Sequence, residues 1–245
     1  MKAKLIVLSI LFILFTTIGG TIAFTAAEQN SSSQFSNENV EIDQIECERI
    51  KDESGNYISV TQMDWENYTS SKLKIFTQEQ EIAPAYYSNG IVEYDNNQLF
   101  ASSVKNVIDK IVYVKNTGDT NIYYRTIIAI ECPQEFDISL VHLNTNKSNK
   151  FIWEDIGYQS INGNRYFIKV ATYTDKLIPE ELSVPSLLQV FLDPKTSNED
   201  MDLIGNTFEI LVKTQAIKVE DGTTPSEALN NTLGYVKNTN PWSNN

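Results

Sequence analysis

The amino-acid sequence predicts an all-β protein: a single-domain, antiparallel, jelly-roll-like β-sandwich behind an N-terminal signal segment. Runs of β-branched and aromatic residues alternate along the chain with Asn, Gly, Asp and Pro, which is the pattern of short strands joined by turns. Helical periodicity is scarce. Many short strands with closely spaced turn signals are typical of sandwiches. The composition, 41% hydrophobic and 21% charged, is that of a globular chain.

Residues 1–23 are predicted to be a secretory signal peptide. Two early lysines precede an apolar stretch, which ends at a Gly-Gly pair followed by small residues, as signal sequences do. Thr21 and Ala23 would flank the cleavage site, so Phe24 would begin the mature chain. The alternative is an uncleaved membrane anchor, because the stretch is about 20 residues long, enough to cross a bilayer. Both alternatives place the body outside the cytoplasm, so the expected localisation is secreted, at the cell surface or in a matrix.

The remaining chain divides into three segments. Residues 24–38 are polar and serine-rich and are expected to form a flexible leader. Residues 39–220 hold the strand-like runs and are predicted to form one β-sandwich domain, because no linker splits them. Residues 221–245 are expected to be a C-terminal tail with a frayed end from Asn238.

The clearest strand pair surrounds Asn116-Thr117-Gly118-Asp119. Side chains alternate before this turn, and a nearly two-sided apolar run follows it, so a hairpin with a glycine turn is predicted. Short helices are predicted at 98–110 and 225–233. The predicted strands are 39–50, 57–65, 72–77, 91–94, 107–115, 121–131, 137–143, 150–153, 165–174, 187–192 and 207–219.

Charge and histidine content narrow the classes of function. The formal net charge of −13 and the pI near 4.5 would repel a phosphate backbone, so no nucleic-acid partner is expected. The one histidine, His142, lies in a strand-like run and cannot supply a His-pair zinc motif. Serine-nucleophile motifs are also missing from the sequence. The chain is therefore predicted to be non-enzymatic, with no catalytic residues and no cofactor.

Cys47 and Cys132 form a candidate disulfide. Both follow Ile-Glu and end predicted strands, and an even number of cysteines outside the cytoplasm favours a bridge. The alternative is two separate thiols.

Two further groups of side chains are weighed as binding sites. The densest carboxylate cluster is a weak calcium candidate, because calcium takes oxygen ligands. The spacing of these carboxylates matches no calcium loop, and the alternative is a solvated acidic loop. Aromatic residues at strand spacing are interpreted as core rather than as a sugar-binding platform. The carboxylates are Asp193, Glu199, Asp200 and Asp202, and the aromatic residues are Trp65, Tyr86, Tyr87, Tyr123, Tyr124 and Trp153.

Three stretches of the chain resemble a known family. The segment Gly19 to Phe24, followed by Phe35 to Ile42, is similar to a signal-and-first-strand motif. The segment Val114 to Asp119, together with Tyr124-Arg125, is similar to a turn motif, and Ala216 within Phe208 to Val219 to a closing strand. The family is the group of bacterial exported proteins with a SipW-type signal, which contains TasA and the camelysins. Departures at Asn37-Glu38, at Phe24-Thr25-Ala26 and in the two cysteines leave the subfamily open.

This resemblance implies a jelly-roll β-sandwich, a dedicated signal peptidase and, for TasA-like members, assembly into extracellular fibres. The expected function is a secreted, non-enzymatic structural protein of the bacterial cell surface or biofilm matrix. Its expected partners are itself, other matrix or cell-wall components and the signal peptidase, with a membrane contact only through an uncleaved signal segment. The alternatives are a secreted adhesion or ligand-binding module and a camelysin-like metallopeptidase.

Overall fold

The structure, a computed structural model, describes residues 40–54, 73–75, 82–86, 99–100, 104–205 and 209–242. The signal peptide with its cleavage residues Thr21, Ala23 and Phe24, the leader, and the predicted strands at 57–65 and 91–94 lie outside the described residues. In the part that is described, no helix has the length and apolar character needed to cross a membrane.

Nine strands lie within the described residues. They are β1 (Ile42–Arg49), β2 (Leu73–Ile75), β3 (Val107–Asn116), β4 (Ile122–Glu131), β5 (Val141–Thr145), β6 (Phe151–Ile161), β7 (Asn164–Tyr173), β8 (Leu187–Leu192) and β9 (Ile210–Lys218). A five-stranded sheet has the order β2-β1-β3-β8-β5, and a four-stranded sheet has the order β6-β7-β4-β9. All of their pairings are antiparallel. The prediction of an all-β antiparallel sandwich is therefore confirmed.

Within the described ranges, two short α-helices accompany the strands: α1 (Asn198–Ile204) and α2 (Pro225–Leu233). Each begins with a capping box, in which a Ser or Thr side chain and an acidic residue three positions later satisfy free backbone amides. The helix predicted at 225–233 is confirmed with the same bounds. The helix predicted at 98–110 is wrong over its last residues, because β-branched Val107 and Ile108 begin β3 instead.

The hairpin predicted around Asn116 is wrong, because β3 and β4 lie in different sheets. The Asn116 side-chain amide donates hydrogen bonds to the carbonyls of Thr120 and Leu177, at 2.8 and 3.0 Å. The Gly118 amide donates to the Glu41 carbonyl just before β1. These contacts hold the turn at the end of the sandwich, where the chain crosses from one sheet to the other.

The turn at Asn162-Gly163 makes the hairpin between β6 and β7. Both residues have positive φ, 52° and 92°, which is the conformation that an Asn-Gly hairpin turn requires. The predicted strand at 150–153 is too short, because β6 continues through Glu154 and Asp155 to Ile161. The strand predicted at 137–143 begins too early, since a 3₁₀ turn at Ile138–Leu140 precedes β5.

Apolar side chains fill the space between the sheets and also cover the outer face of the four-stranded sheet. Eight of the ten residues of β4 are buried, because β4 packs against the other sheet on one face and beneath the C-terminal segment on the other. In that segment, Ala228 and Leu229 of α2 pack on Ile217, and Val236 and Trp242 pack over β4 and β7. Residues 225–242 are thus part of the folded domain, and the expectation of a frayed end is wrong as far as Trp242.

A buried polar row crosses the outer face of the five-stranded sheet. The Arg49 guanidinium on β1 donates to both carboxylate oxygens of Asp109 on β3, at 2.7 and 2.8 Å. Gln189 on β8 donates to Asp109 at 2.7 Å, and Asn144 on β5 donates to Gln189 at 3.0 Å. No member of the row is more than 3% exposed. Four adjacent strands are therefore joined by side chains as well as by main-chain hydrogen bonds.

The same row holds the main chain of Phe100 against the sheet. The Phe100 amide donates to the Gln189 side-chain oxygen at 2.9 Å, and the Phe100 carbonyl accepts from Arg49 at 2.8 Å. The Phe100 ring packs edge to face on Phe191 of β8, with 5.4 Å between centroids. The row therefore fixes the segment that covers this face.

Replacing Arg49 with Met tests the row. The variant leaves the buried Asp109 carboxylate without its guanidinium, so we expect the free energy of unfolding to fall by about 3–5 kcal/mol. Urea denaturation followed by tryptophan fluorescence measures the loss. A double variant, Arg49→Met with Asp109→Leu, should recover part of it, because no charge is then left buried. A single variant as stable as the wild type would contradict this role.

Candidate functional site

Strand β6 is the longest strand at a margin of either sheet. Among the described residues its 11-residue main chain is hydrogen-bonded to β7 alone. The other marginal strands are shorter, with three residues in β2, five in β5 and nine in β9. One carbonyl of β9, that of Val212, also accepts a hydrogen bond from Gln44 of β1 across the sandwich. An edge strand presents amide and carbonyl groups to which another extended chain can pair.

A bulge and two acidic residues limit the pairing of another strand with the β6 edge. The register of β6 on β7 shifts between Asp155 and Gly157, and Gly157 has a φ of 97°, a backbone conformation that favours glycine. Exposed Glu154 and Asp155 stand next to the bulge. Bulges and charges on edge strands limit uncontrolled pairing. The edge is therefore divided into two regular pieces, residues 151–155 and 158–161.

Aromatic and cationic side chains fix the second piece of the edge. The Tyr158 ring packs edge to face on Phe167 at 5.2 Å, and the Arg165 guanidinium lies 3.5 Å from the Tyr158 ring centroid. Lys169 on β7 pairs with Asp155 at 2.5 Å. These contacts hold β6 on β7. Ile152 and Tyr158 are nevertheless 50% and 46% exposed. The register places these two side chains on opposite faces of the sheet.

The open edge, with one exposed apolar side chain on each face, is the candidate site. A strand added there would form main-chain hydrogen bonds with β6, and its alternating side chains would contact Ile152 on one face and Tyr158 on the other. The site is therefore suited to binding an extended polypeptide.

The two cysteines are free and buried, and the structure does not bring them together. Cys47 points from the outer face of the five-stranded sheet, with Sγ 3.7 Å from the Tyr113 hydroxyl. Cys132 follows β4 in the other sheet and packs in the cluster between the sheets. Burial raises the pKa of both thiols. The candidate disulfide is therefore wrong, because its two residues belong to different layers.

Asp193, the first carboxylate of the calcium candidate, makes hydrogen bonds with two neighbouring residues. One oxygen lies 2.9 Å from His142 Nε2, and the other accepts from the Lys195 amide at 2.8 Å. The hydrogen bond with His142, followed by that with Lys195, lowers the pKa of the Asp193 carboxyl. His142 also stacks on Phe191, with 5.1 Å between ring centroids. The single histidine thus holds a turn in place, as expected for a packed residue at a sheet edge.

The other calcium candidates lie in α1. Asp200 accepts from the Ser197 amide and hydroxyl as half of the capping box, and these hydrogen bonds lower the pKa of its carboxyl. Glu199 stands beside it in the first turn, and Asp202 follows further along the helix. Within the described ranges, no three His, Cys, Asp or Glu side chains come together as metal ligands. The structure therefore does not support a calcium site here.

The aromatic residues are mainly structural. Tyr124 is buried and stacks on Tyr173, with 5.0 Å between centroids. Trp153 is partly buried, and its indole N–H donates to the Asn146 carbonyl at 3.3 Å. Tyr123 packs against α2, and Tyr86 is exposed, while Trp65 and Tyr87 fall outside the described residues. The interpretation as core residues is therefore confirmed for Tyr124 and is wrong for Tyr86, whereas Trp153 packs partly buried against the core.

Arg125 has a structural role that was not predicted from the sequence. It lies buried on the outer face of β4, where Nε donates to Gln215 of β9 at 2.8 Å. Its other nitrogens donate to the Asn230 side chain in α2, at 2.8 Å, and to the Gly234 carbonyl, at 2.9 Å. Burial lowers the pKa of Arg125 to about 10. An arginine inside an apolar run was the available signal, since such a residue needs buried partners.

Comparison of the chain with protein families, with curated proteins and with solved structures gave no match. The class of the protein therefore follows from its own structure: a two-sheet antiparallel sandwich whose longest marginal strand is open among the described residues.

The state of the cysteines is directly measurable. Because both thiols are buried and unpaired, we expect the native protein to react negligibly with a thiol reagent and the denatured protein to titrate two thiols without prior reduction. Denatured protein treated with a reductant is the control and should titrate the same number. A linked peptide containing Cys47 and Cys132 in a non-reducing digest would contradict the expectation.

Proposed function

We propose that the protein is a secreted, non-enzymatic structural protein of the bacterial cell surface or extracellular matrix, TasA-like in role, that assembles into fibres by strand addition. The observation that carries the proposal is the 11-residue edge strand β6 of a β-sandwich, whose main chain is paired with β7 alone among the described residues. Support for export and for the matrix comes from the signal-like N-terminus and from the motif resemblance.

A jelly-roll connectivity is part of the proposal. The pairs β3–β8, β5–β8 and β4–β7 join strands that are distant in the chain, and consecutive strands β3 and β4 lie in opposite sheets. Such connections are typical of Greek-key sandwiches and jelly rolls.

In the proposed assembly, residues 24–38 of one subunit pair with β6 of the next. This segment directly precedes the domain and is longer than β6. Main-chain hydrogen bonds would supply the affinity, and the contacts with Ile152 and Tyr158 would set the register. Because the donor segment and the acceptor edge are different surfaces, the contact is head-to-tail and generates a filament unless it closes into a ring.

Net charge opposes this assembly. Removal of residues 1–23 takes away two lysines and no acidic residue, so the formal charge falls from −13 to −15. Repulsion between such subunits is screened by salt, since the Debye length shortens from about 30 Å at 0.01 M to about 10 Å at 0.1 M. Acidification towards the pI near 4.5 removes most of the charge.

Light scattering across salt and pH tests the assembly. We expect polymerisation to increase with salt and as the pH approaches 4.5, because both reduce repulsion. Deleting residues 24–38, or replacing Ile152 with Lys on the β6 edge, should abolish polymerisation while the far-UV circular dichroism of a β-sandwich is kept. Leu203→Lys, at an exposed apolar side chain on α1, is the matched control and should polymerise normally.

The outcomes separate the alternatives. If the truncated protein polymerises as well as the full mature chain, the leader is not the donor. A protein that stays monomeric throughout but binds a surface ligand would be an adhesion module. Chelator-sensitive hydrolysis of casein would identify a camelysin-like metallopeptidase.

Processing is tested on the secreted protein itself. Because Thr21 and Ala23 are small residues that flank the predicted cut, we expect N-terminal sequencing to begin at Phe24. An intact N-terminus at Met1 on membrane-bound protein would show that the segment is retained as an anchor.

A further inference from the structure

A buried amine and a largely buried carboxylate meet between the two sheets, where β1 faces β9. Lys110 Nζ on β3 lies 2.5 Å from Glu46 Oε2 on β1. The two side chains are only 8% and 13% exposed. Glu46 shares its face of β1 with Gln44, which reaches Val212 of the opposite sheet, so the pair lies on the inner face of the five-stranded sheet.

The second oxygen of the Glu46 carboxylate is held by an amide of fixed orientation. Gln44 Nε2 donates to Glu46 Oε1 at 2.9 Å and to the Val212 carbonyl at 3.2 Å. The oxygen of the same amide accepts from the Thr214 hydroxyl of β9 at 2.8 Å. Because the Val212 carbonyl and the Glu46 carboxylate can only accept, the amide nitrogen of Gln44 must point towards them, which leaves its oxygen facing the Thr214 hydroxyl.

We propose that Lys110 and Glu46 form an intramolecular amide cross-link that joins β3 to β1 covalently. One proton passes from the Lys110 ammonium to Glu46 Oε2, which leaves a neutral amine against a neutral carboxyl group. Nζ then attacks Cδ, the N–C bond forms and the C–Oε2 bond breaks. Oε2 departs as water with a second proton from Nζ. The balance is one amide and one water from one ammonium and one carboxylate, so no oxidant or cofactor is needed.

The surrounding structure favours this cross-link in three ways. The Gln44 N–H lies where negative charge develops on Oε1 during the attack, and such a fixed donor stabilises the tetrahedral intermediate. The fold also holds the amine and the carboxyl in contact, which replaces a bimolecular encounter by an intramolecular one. Low exposure of both side chains restricts the water that would hydrolyse the amide.

The other lysine and arginine ion pairs among the described residues lack one of these conditions. In three of them at least one partner is more than half exposed, so water competes for both groups. The fourth, Arg49–Asp109, is buried, but a guanidinium is a poor nucleophile. The three exposed pairs are Lys115–Glu180, Lys150–Asp175 and Lys169–Asp155.

The cross-link would anchor the strand that follows the leader. β1 is the first strand of the domain, and β3 lies beside it in the five-stranded sheet. This inference stands independently of fibre formation, because it depends only on contacts inside one subunit.

Intact-mass spectrometry of the denatured and reduced wild-type protein tests the cross-link. We expect a mass lower than the sequence mass by one water molecule, and a digest should contain a branched peptide with Glu46 and Lys110. Lys110→Arg keeps a cation beside Glu46 but cannot form the amide, so it should show its full mass. Glu48→Gln, buried on the same face of β1, is the matched control and should keep the loss.

Two results would overturn the proposal. One is a wild-type protein of full sequence mass, which decides the matter without any variant. The other is a water loss that maps elsewhere, such as to a succinimide at Asp221-Gly222, where an aspartate precedes a glycine.

Discussion

The fold depends on covering the outer faces of both sheets, because the central strands β3 and β4 are buried on both faces. A sandwich needs burial only between its layers, and the second face of each sheet would otherwise meet water. In the described residues, the chain covers one outer face with the segment at Phe100 and the other with α2 and residues 236–242. The C-terminal segment is therefore required by the two-sided burial of β4.

Each of these two covering segments is held on its sheet by a buried arginine: Arg49 holds the segment at Phe100, and Arg125 holds α2. Arg49 is neutralised by Asp109, and its remaining hydrogen-bonding capacity holds the Phe100 carbonyl. Arg125 donates hydrogen bonds to three neutral oxygens, two of which lie in or just after α2. Burial lowers the pKa of Arg125 to about 10, so its guanidinium remains charged at neutral pH. A buried charge with neutral partners is stable only when all of the acceptors are in place. Docking of α2 is thus coupled to folding of the sheet.

Local patterns predicted the elements well, and contacts distant in sequence decided the rest. The strand at 187–192 and the helix at 225–233 match because a short apolar run and capping residues act within a few positions. The turn at Asn116 resembles a hairpin locally, but its contacts with Glu41 and Leu177 send the chain into the other sheet. The separation of the cysteines follows from that sheet assignment. Only the start of β6 was predicted, at 150–153, because exposed polar residues follow it and the Asn162-Gly163 turn is the one clear signal of where the strand ends.

Two adjacent residues of β3 form the buried ion pairs on the two faces of the five-stranded sheet. Asp109 and Lys110 are adjacent in β3, so their side chains point to opposite faces of the sheet. Asp109 holds Arg49 on the outer face, and Lys110 holds Glu46 on the inner face. Both partners belong to β1, which is therefore tied to β3 from both sides in addition to its main-chain hydrogen bonds. If the leader carries load in a fibre, that load reaches the domain through β1. Side-chain anchors on both faces then resist shear of β1 along β3, and a covalent bond at Lys110 would make the inner anchor permanent.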